Sequence, residues 1–379
     1  MFINELSDDC LIAIFEYVNN LGDLINCFKV CSRWSYLIAE RTKKAKYLLE
    51  EPAQKIDYVI FFEDPSAPCF YPFDCVYYQG RDLIDIFEFT KRFQNKVKSV
   101  DIVSFIRNHE SLKGIIHVDA DFVEYLENIK LEMLSCPLFD SSIIPNGSSM
   151  KQLCAEYDSL EDVKKIAPDF SNLEILRTVI KKNGNYDRIR VPVFEKLKIL
   201  VLNSYTKEGI FYGFQFMDSC PNLQSAHITM DSIHFFVDET IKHECLQDLV
   251  IDFYQRSNDE QKNWNDEKRL LMKYPNLKHL KLAGVSNIKD ANIKELVHIL
   301  PNLVLLIIAN SSKRVVDIVK DYCKRNGRSI KFYDGCDGLK SDWPQLSVKS
   351  EKISRGFDFM KHYFLKDFHQ LPHFMTPID

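Results

Sequence analysis

A chain of 379 residues with 46% apolar and 27% charged side chains can bury a large core, and only 12 glycines and 14 prolines argue against long flexible linkers. Its formal net charge of -5 comes from 49 basic and 54 acidic residues interspersed along the sequence, so no single-sign field points to nucleic acid as the main partner. No apolar run reaches membrane-spanning length, the N-terminus lacks a signal-peptide layout, and the 11 cysteines contain no C-x-x-C pair. Together these features predict a soluble, intracellular protein with reduced, mostly buried thiols, cytoplasmic and compatible with a nuclear fraction, and no membrane partner.

The first element is a short helix from Ser7, with Leu11, Ile14, Phe15 and Val18 at three- and four-residue steps. Ser7 is placed to cap it, and Asp8 and Asp9 suit the positive end of its dipole. A second helix follows, with Asp23 as its expected cap and Leu24, Ile25, Cys27, Phe28 and Val30 as its apolar residues. A third runs from Ser32 with Trp34, Leu37 and Ile38 inward. Three helices of this size carry more apolar face than they can bury among themselves, so part of it is expected to meet another protein. The third helix is expected to continue through Arg41-Thr42-Lys43-Lys44-Ala45-Lys46, a basic run that reads as a solvated helix end rather than a nuclear import signal, and to stop at Glu51-Pro52.

The order and spacing of Leu6-x4-Leu11-x2-Ile14-Phe15, Asp23-Leu24 and Val30-Cys31-Ser32-Arg33-Trp34 resemble an F-box. One departure is Ser7, where family members usually carry proline. The resemblance implies docking on the Skp linker protein of a cullin-based ubiquitin ligase. Leu6, Leu11, Ile14, Phe15, Leu24, Val30, Cys31 and Trp34 match the family's apolar positions, and the sequence does not separate docking surface from helix core among them.

Residues 56–62 read as a strand, 65–80 as an ordered loop, and Asp82 to Phe93 as a helix. From Val97 onward, segments of the form apolar-x-x-apolar-x-apolar recur. The clear ones start at Leu197, Leu223, Leu246, Leu277 and Leu303, at spacings of 26, 23, 31 and 26 residues. Weaker ones start at Val97, Ile115, Leu131, Met150 and Leu173, and a last one ends in Ile330-x-Phe332. Pro-Asn precedes three of them, at 221–222, 275–276 and 301–302. Each unit supplies a strand, with helical stretches such as Ala291 to Leu300 and Val315 to Tyr322 between units. Neither element can bury its apolar side alone, so the units are expected to stack into a solenoid.

The whole chain therefore resembles the F-box/leucine-rich-repeat family. The expected architecture is α/β: a three-helix F-box (3–45), a connecting helix, strand and loop capping the solenoid (46–95), leucine-rich repeats with parallel strands concave and helices convex (96–338), and a C-terminal helical tail (339–379). The family implies a substrate-recognition adaptor that binds the Skp linker and cullin scaffold and holds a protein substrate on the repeats. The alternative is a scaffold or inhibitor that binds a protein partner without degradation.

Residues alternating with the core positions would form the concave, substrate-holding face: Ile199, Val201, Asn203, Ser225, His227, Asp248, Val250, His279, Lys281, Leu305, Ile307, Lys331 and Tyr333. Leu305 and Ile307 are apolar where a solvated face would be polar. In the tail, Ile353, Phe357, Met360, Phe364 and Phe368 recur at helical spacing and predict a helical cap on the open end. The rival placement lays the tail across the concave face. His362, His369, His373 and Cys336 are too loosely spaced for a zinc site, and no nucleophile elbow, P-loop, dinucleotide fingerprint or H-E-x-x-H motif occurs. The sequence thus points to no catalytic residues, metal or cofactor.

Overall fold

The computed structural model describes residues 3–18, 20–50, 75–78, 111–116, 130–137, 147–184, 186, 194–232, 234–254, 264–284, 288–309, 313–335 and 351–377. The chain divides into two compact units, Met1–Met150 and Lys151–Asp379. It is a mixed α/β structure with parallel strands.

In the first unit, helix α1 (Asp8–Glu16) starts where the Ser7 side chain accepts the Cys10 N–H at 3.4 Å. Helix α2 (Leu21–Phe28) is capped by Asn20, whose side chain accepts the Asp23 N–H at 3.1 Å, so Asp23 lies inside the first turn and is not the cap. Helix α3 spans Ser32–Lys43. Leu11, Phe15, Leu24, Ile25, Phe28, Trp34, Leu37 and Ile38 are buried, with the Phe15 and Trp34 rings edge to face at 5.0 Å.

Two arginines close this bundle. Arg33 donates to Asp8 Oδ1 (2.7 Å) and to the carbonyls of Asn4 (2.7 Å) and Leu6 (2.6 Å), tying the start of α3 to the start of α1. Arg41, expected on a solvated helix end, is instead buried. Its guanidinium donates to the Phe15 carbonyl at 3.4 Å and the Cys75 carbonyl at 3.2 Å, satisfying backbone acceptors at the end of α1 and in a strand.

Helix α3 stops at Lys43, before the predicted end, because the chain turns into strand β1 (Tyr47–Glu50). Strands β2 (Cys75–Tyr78), β3 (Gly114–Ile116) and β4 (Met133–Ser135) complete a parallel set in the order β4-β3-β1-β2. Cys75–Tyr78 was expected in a loop; pairing with β1 makes it a strand, the tertiary context overriding a proline-flanked sequence. The predicted strand at 56–62, the helix at 82–93 and the unit at Val97 lie outside the described residues.

In the second unit the strands are β5 (Gln152–Tyr157), β6 (Ile175–Ile180), β7 (Ile199–Ser204), β8 (Ser225–Met230), β9 (Asp248–Phe253), β10 (His279–Ala283), β11 (Leu305–Ile308) and β12 (Lys331–Tyr333). They are parallel and adjacent in chain order. The register places the same repeat position side by side across the sheet: Leu176, Leu200, Ala226, Leu249, Leu280 and Leu306. Helices α4 (Leu160–Ile166), α5 (Gly213–Asp218), α6 (Trp264–Leu271), α7 (Asp290–Ile299) and α8 (Lys313–Asn326) lie in the connections.

The recurring Pro-Asn has a hydrogen-bonding role. Asn222 Nδ2 donates to the Glu195 carbonyl (2.7 Å), Asn276 Nδ2 to Glu244 (2.9 Å) and Asn302 Nδ2 to Pro275 (3.1 Å), so each asparagine fastens its turn to the preceding repeat.

Residues 351–377 do not form the expected helical cap. They contain β13 (Ile353–Arg355), a one-turn helix α9 (Phe359–His362), a 3-10 turn (Phe368–Gln370) and β14 (Phe374–Thr376), with β13 and β14 paired in parallel. Gly356, at φ 93°, makes the turn after β13, and Asp358 caps α9 by accepting the Lys361 N–H at 3.1 Å. The helical spacing of apolar residues is real but interrupted: Phe357 is exposed, whereas Ile353, Phe364 and Phe368 are buried.

The connections also hold a buried ion pair. Lys273 Nζ donates to Asp218 Oδ2 at 2.6 Å and to the Asp238 carbonyl at 2.8 Å, and both charged side chains are fully inaccessible. Removing one partner strands the other charge, so Asp218→Ala should lower stability by about 3–5 kcal/mol in urea denaturation. The double change Asp218→Leu with Lys273→Met should recover most of that loss, because apolar groups of similar size need no counter-charge.

Candidate functional site

Two surfaces follow from the predicted residues. The first is on the helices of the N-terminal unit. Leu11, Phe15, Leu24 and Trp34 lie in the helix core, while Leu6 is half-buried. Ile14 (40% accessible), Val30 (57%) and Cys31 face outward.

Three residues outside the predicted set extend this surface. Cys10, Ala13, Ile14 and Tyr17 stand at i, i+3, i+4 and i+7 on α1 and its C-cap, and all four are exposed. Helix α1 is therefore apolar on two sides. Leu11 and Phe15 serve the core, and the second stripe is open to solvent. The Arg33 bonds to Asn4, Leu6 and Asp8 hold the start of α3 beside the start of α1, which brings Val30 and Cys31 to the same end of the bundle. The four-residue spacing of the outer stripe was available in the sequence, but nothing there separated docking surface from helix core, and Phe15 and Trp34 prove to pack on each other.

The second surface is the strand face. Ile199, Val201, Val250, Leu305 and Ile307 are buried, and Tyr333 is partly buried against them. Residues of the C-terminal segment cover this face: Phe359, Tyr363, Phe364, Leu365, Phe368, Leu371 and Met375 form one apolar cluster with it. The predicted substrate face is thus occupied by the chain's own tail, the placement that rivalled a helical cap, because its apolar side chains leave water only when covered.

Polar groups fix the tail in register. Gln152 Nε2 donates to the Met375 carbonyl at 2.6 Å, and the Met375 N–H donates back to Gln152 Oε1 at 2.9 Å. Arg177 donates to the carbonyls of Leu371 (2.6 Å) and Phe368 (3.1 Å), with its guanidinium 4.8 Å from the Phe368 ring centroid. Lys281 Nζ reaches the Leu365 carbonyl at 3.4 Å. Asp248 bridges two neighbours on the same face, accepting Ser225 Oγ at 2.6 Å and contacting His279 Nδ1 at 2.6 Å. Lys331, at the last strand, is exposed.

At the strand ends the Tyr205 hydroxyl meets His369 Nε2 at 2.8 Å, with the two rings stacked. Burial holds the His227 imidazole neutral, pushing its pKa down to about 3 with help from the nearby Lys281 and Arg177 charges. His362, His369 and His373 are also held below the ordinary range, chiefly by burial. Burial takes the Lys366 ammonium down to about 8.

Among the described residues, no group of three or more His, Cys, Asp or Glu side chains is placed to hold a metal ion, and no helix is long and apolar enough to cross a membrane. Of the described cysteines, Cys75, Cys136, Cys220 and Cys323 are buried, while Cys10, Cys31 and Cys245 are exposed. Neither protein-family models nor curated proteins give a match to this chain.

The depressed histidines make tail packing sensitive to acid. Below pH 6.5 the unfolded chain takes up protons that the folded His227 does not, so stability falls as pH drops, and falls further until the folded value near 3 is reached. From pH 6.5 to pH 5 this group alone should remove about 2 kcal/mol, read as a falling urea midpoint. Substituting His227→Leu should flatten that slope.

Proposed function

We propose that this chain is the non-catalytic, substrate-recognition adaptor of a ubiquitin ligase of the Skp–cullin type, docking on the Skp linker protein through α1–α3. The observation that carries the reading is the exposed apolar stripe Cys10, Ala13, Ile14 and Tyr17, together with Val30 and Cys31, exposed just before α3. The helices already have a complete core without it. A solvent-facing stripe at helical spacing fits a partner that covers it.

In this role the chain does no bond chemistry. It holds a bound protein near a charged ubiquitin-conjugating enzyme, so that lysine attack becomes effectively intramolecular. The order of the F-box-like residues and the one-strand-per-repeat parallel strands that follow them in the chain support the assignment. In the F-box/leucine-rich-repeat reading, the sheet and its connections are the repeat domain, and the protein substrate is held there.

Purified chain should retain the Skp linker protein and its cullin on a column. Ile14→Asp and Val30→Asp should each cut capture at least tenfold while leaving the circular dichroism spectrum and the melting temperature unchanged. Undiminished capture by both variants, or no capture by the unaltered chain, would remove the assignment. Capture of a protein partner without cullin would favour a non-degradative scaffold.

A further inference from the structure

The tail meets the strand face through an unusual division of contacts. Gln152, Arg177 and Lys281 all bond main-chain atoms of the tail, at Met375, Leu371, Phe368 and Leu365. The apolar positions of the face, Ile175, Ile199, Val201, Val250, Leu305 and Ile307, cluster with Phe364, Phe368, Leu371 and Met375. Contacts to carbonyls carry no side-chain selectivity, and apolar positions set between polar ones select by size and spacing. Peptide-binding surfaces use the same combination.

The fit is also incomplete. Asn203, His227 and Thr229 lie on this face, in register on adjacent strands β7 and β8, and all three are buried. Both amide atoms of Asn203, both ring nitrogens of His227 and Thr229 Oγ1 have no partner in hydrogen-bonding geometry. The Tyr205 hydroxyl lies near Asn203 and the Tyr363 main chain near His227, each outside hydrogen-bonding geometry. An unpaired buried polar group costs about 1–3 kcal/mol, so the tail leaves the face with interactions that a better-matched segment would make.

We infer that this face is a peptide-binding trough occupied in cis by residues 359–376, and that its trans ligand is an extended protein segment with the tail's apolar spacing and a hydrogen-bonding side chain over Asn203, His227 and Thr229. The tail then excludes weak ligands, and a matched segment displaces it. This inference stands independently of whether α1–α3 dock on the Skp linker protein.

The trough is tested in the full chain carrying a protease site inserted after Asp334, cut under native conditions, with a fluorescein-labelled peptide of residues 351–377 as the probe. The cut chain should take up the labelled peptide, and the uncut chain should take up at least tenfold less. A peptide with Phe368→Ala and Leu371→Ala should bind at least tenfold more weakly. In the uncut chain, Thr229→Val should raise the melting temperature, since it removes an unpaired hydroxyl without changing the packing. A cut chain that keeps its own tail and admits no label after a day at 37 °C, or one that unfolds on cutting, would overturn the trough and make the tail a permanent part of the core. A melting temperature unchanged or lowered by Thr229→Val would overturn the incomplete fit.

Discussion

A parallel sheet assembled one strand per repeat has two apolar faces, and connections that all lie on one side can cover only one of them. The second unit depends on how the other face is closed. Side chains at alternate positions of β7 are buried on both sides: Leu200 and Leu202 on one, Ile199 and Val201 on the other. The C-terminal segment supplies the second cover, and its ends are joined to each other as a parallel strand pair. Without that cover, Val201, Val250, Leu305 and Ile307 would be exposed apolar positions on a face where His227 and Lys281 alternate with Val201, Val250 and Ile307 across the strands.

Covering a face that also carries charge imposes conditions on the cover. Arg177 and Lys281 are buried on it and use main-chain carbonyls as acceptors, which keeps their ammonium and guanidinium groups partly solvated by peptide dipoles. Burial, supported by their positive field, holds His227 neutral beside them. The connections follow a different rule. Lys273 is paired with the carboxylate of Asp218, and the asparagine of each Pro-Asn takes a carbonyl of the preceding turn. Buried polar atoms without a hydrogen-bond partner occur in the connections, at Gln215 Oε1, His243 Nδ1 and the Tyr274 hydroxyl, as well as on the tail face at Asn203, His227 and Thr229.

The repeats were legible because each obeys a local rule. The apolar-x-x-apolar-x-apolar pattern placed β6 through β12 close to where they lie, and three-residue and four-residue spacing placed α7 to within a residue at each end. Long-range effects were not legible. Cys75–Tyr78 becomes a strand only because β1 lies beside it, and Arg41 is buried only because two carbonyls, at Phe15 and Cys75, converge on it. The tail misled for a related reason. Phe364 and Phe368 are four apart, which fits a helix, but Phe364 lies in the turn after α9 and Phe368 opens the 3-10 turn, and both reach the same face.

The run Val30-Cys31-Ser32-Arg33-Trp34 shows how little a motif says about the part each residue plays. Five consecutive residues divide between surface, helix start, clamp and core. Val30 and Cys31 face solvent, Ser32 opens α3, Arg33 holds the carbonyls of Asn4 and Leu6, and Trp34 packs on Phe15. Apolar character alone assigns Val30 and Trp34 to the same class, yet only Val30 remains available to another protein. The distinction is set by position at the helix start. Val30 and Cys31 precede α3 and face solvent, Arg33 ties the first turn of α3 to the start of α1, and Trp34, inside that turn, packs on Phe15. The available surface of this bundle is therefore what remains after Arg33 and the Phe15–Trp34 contact have fixed how the helices are rotated.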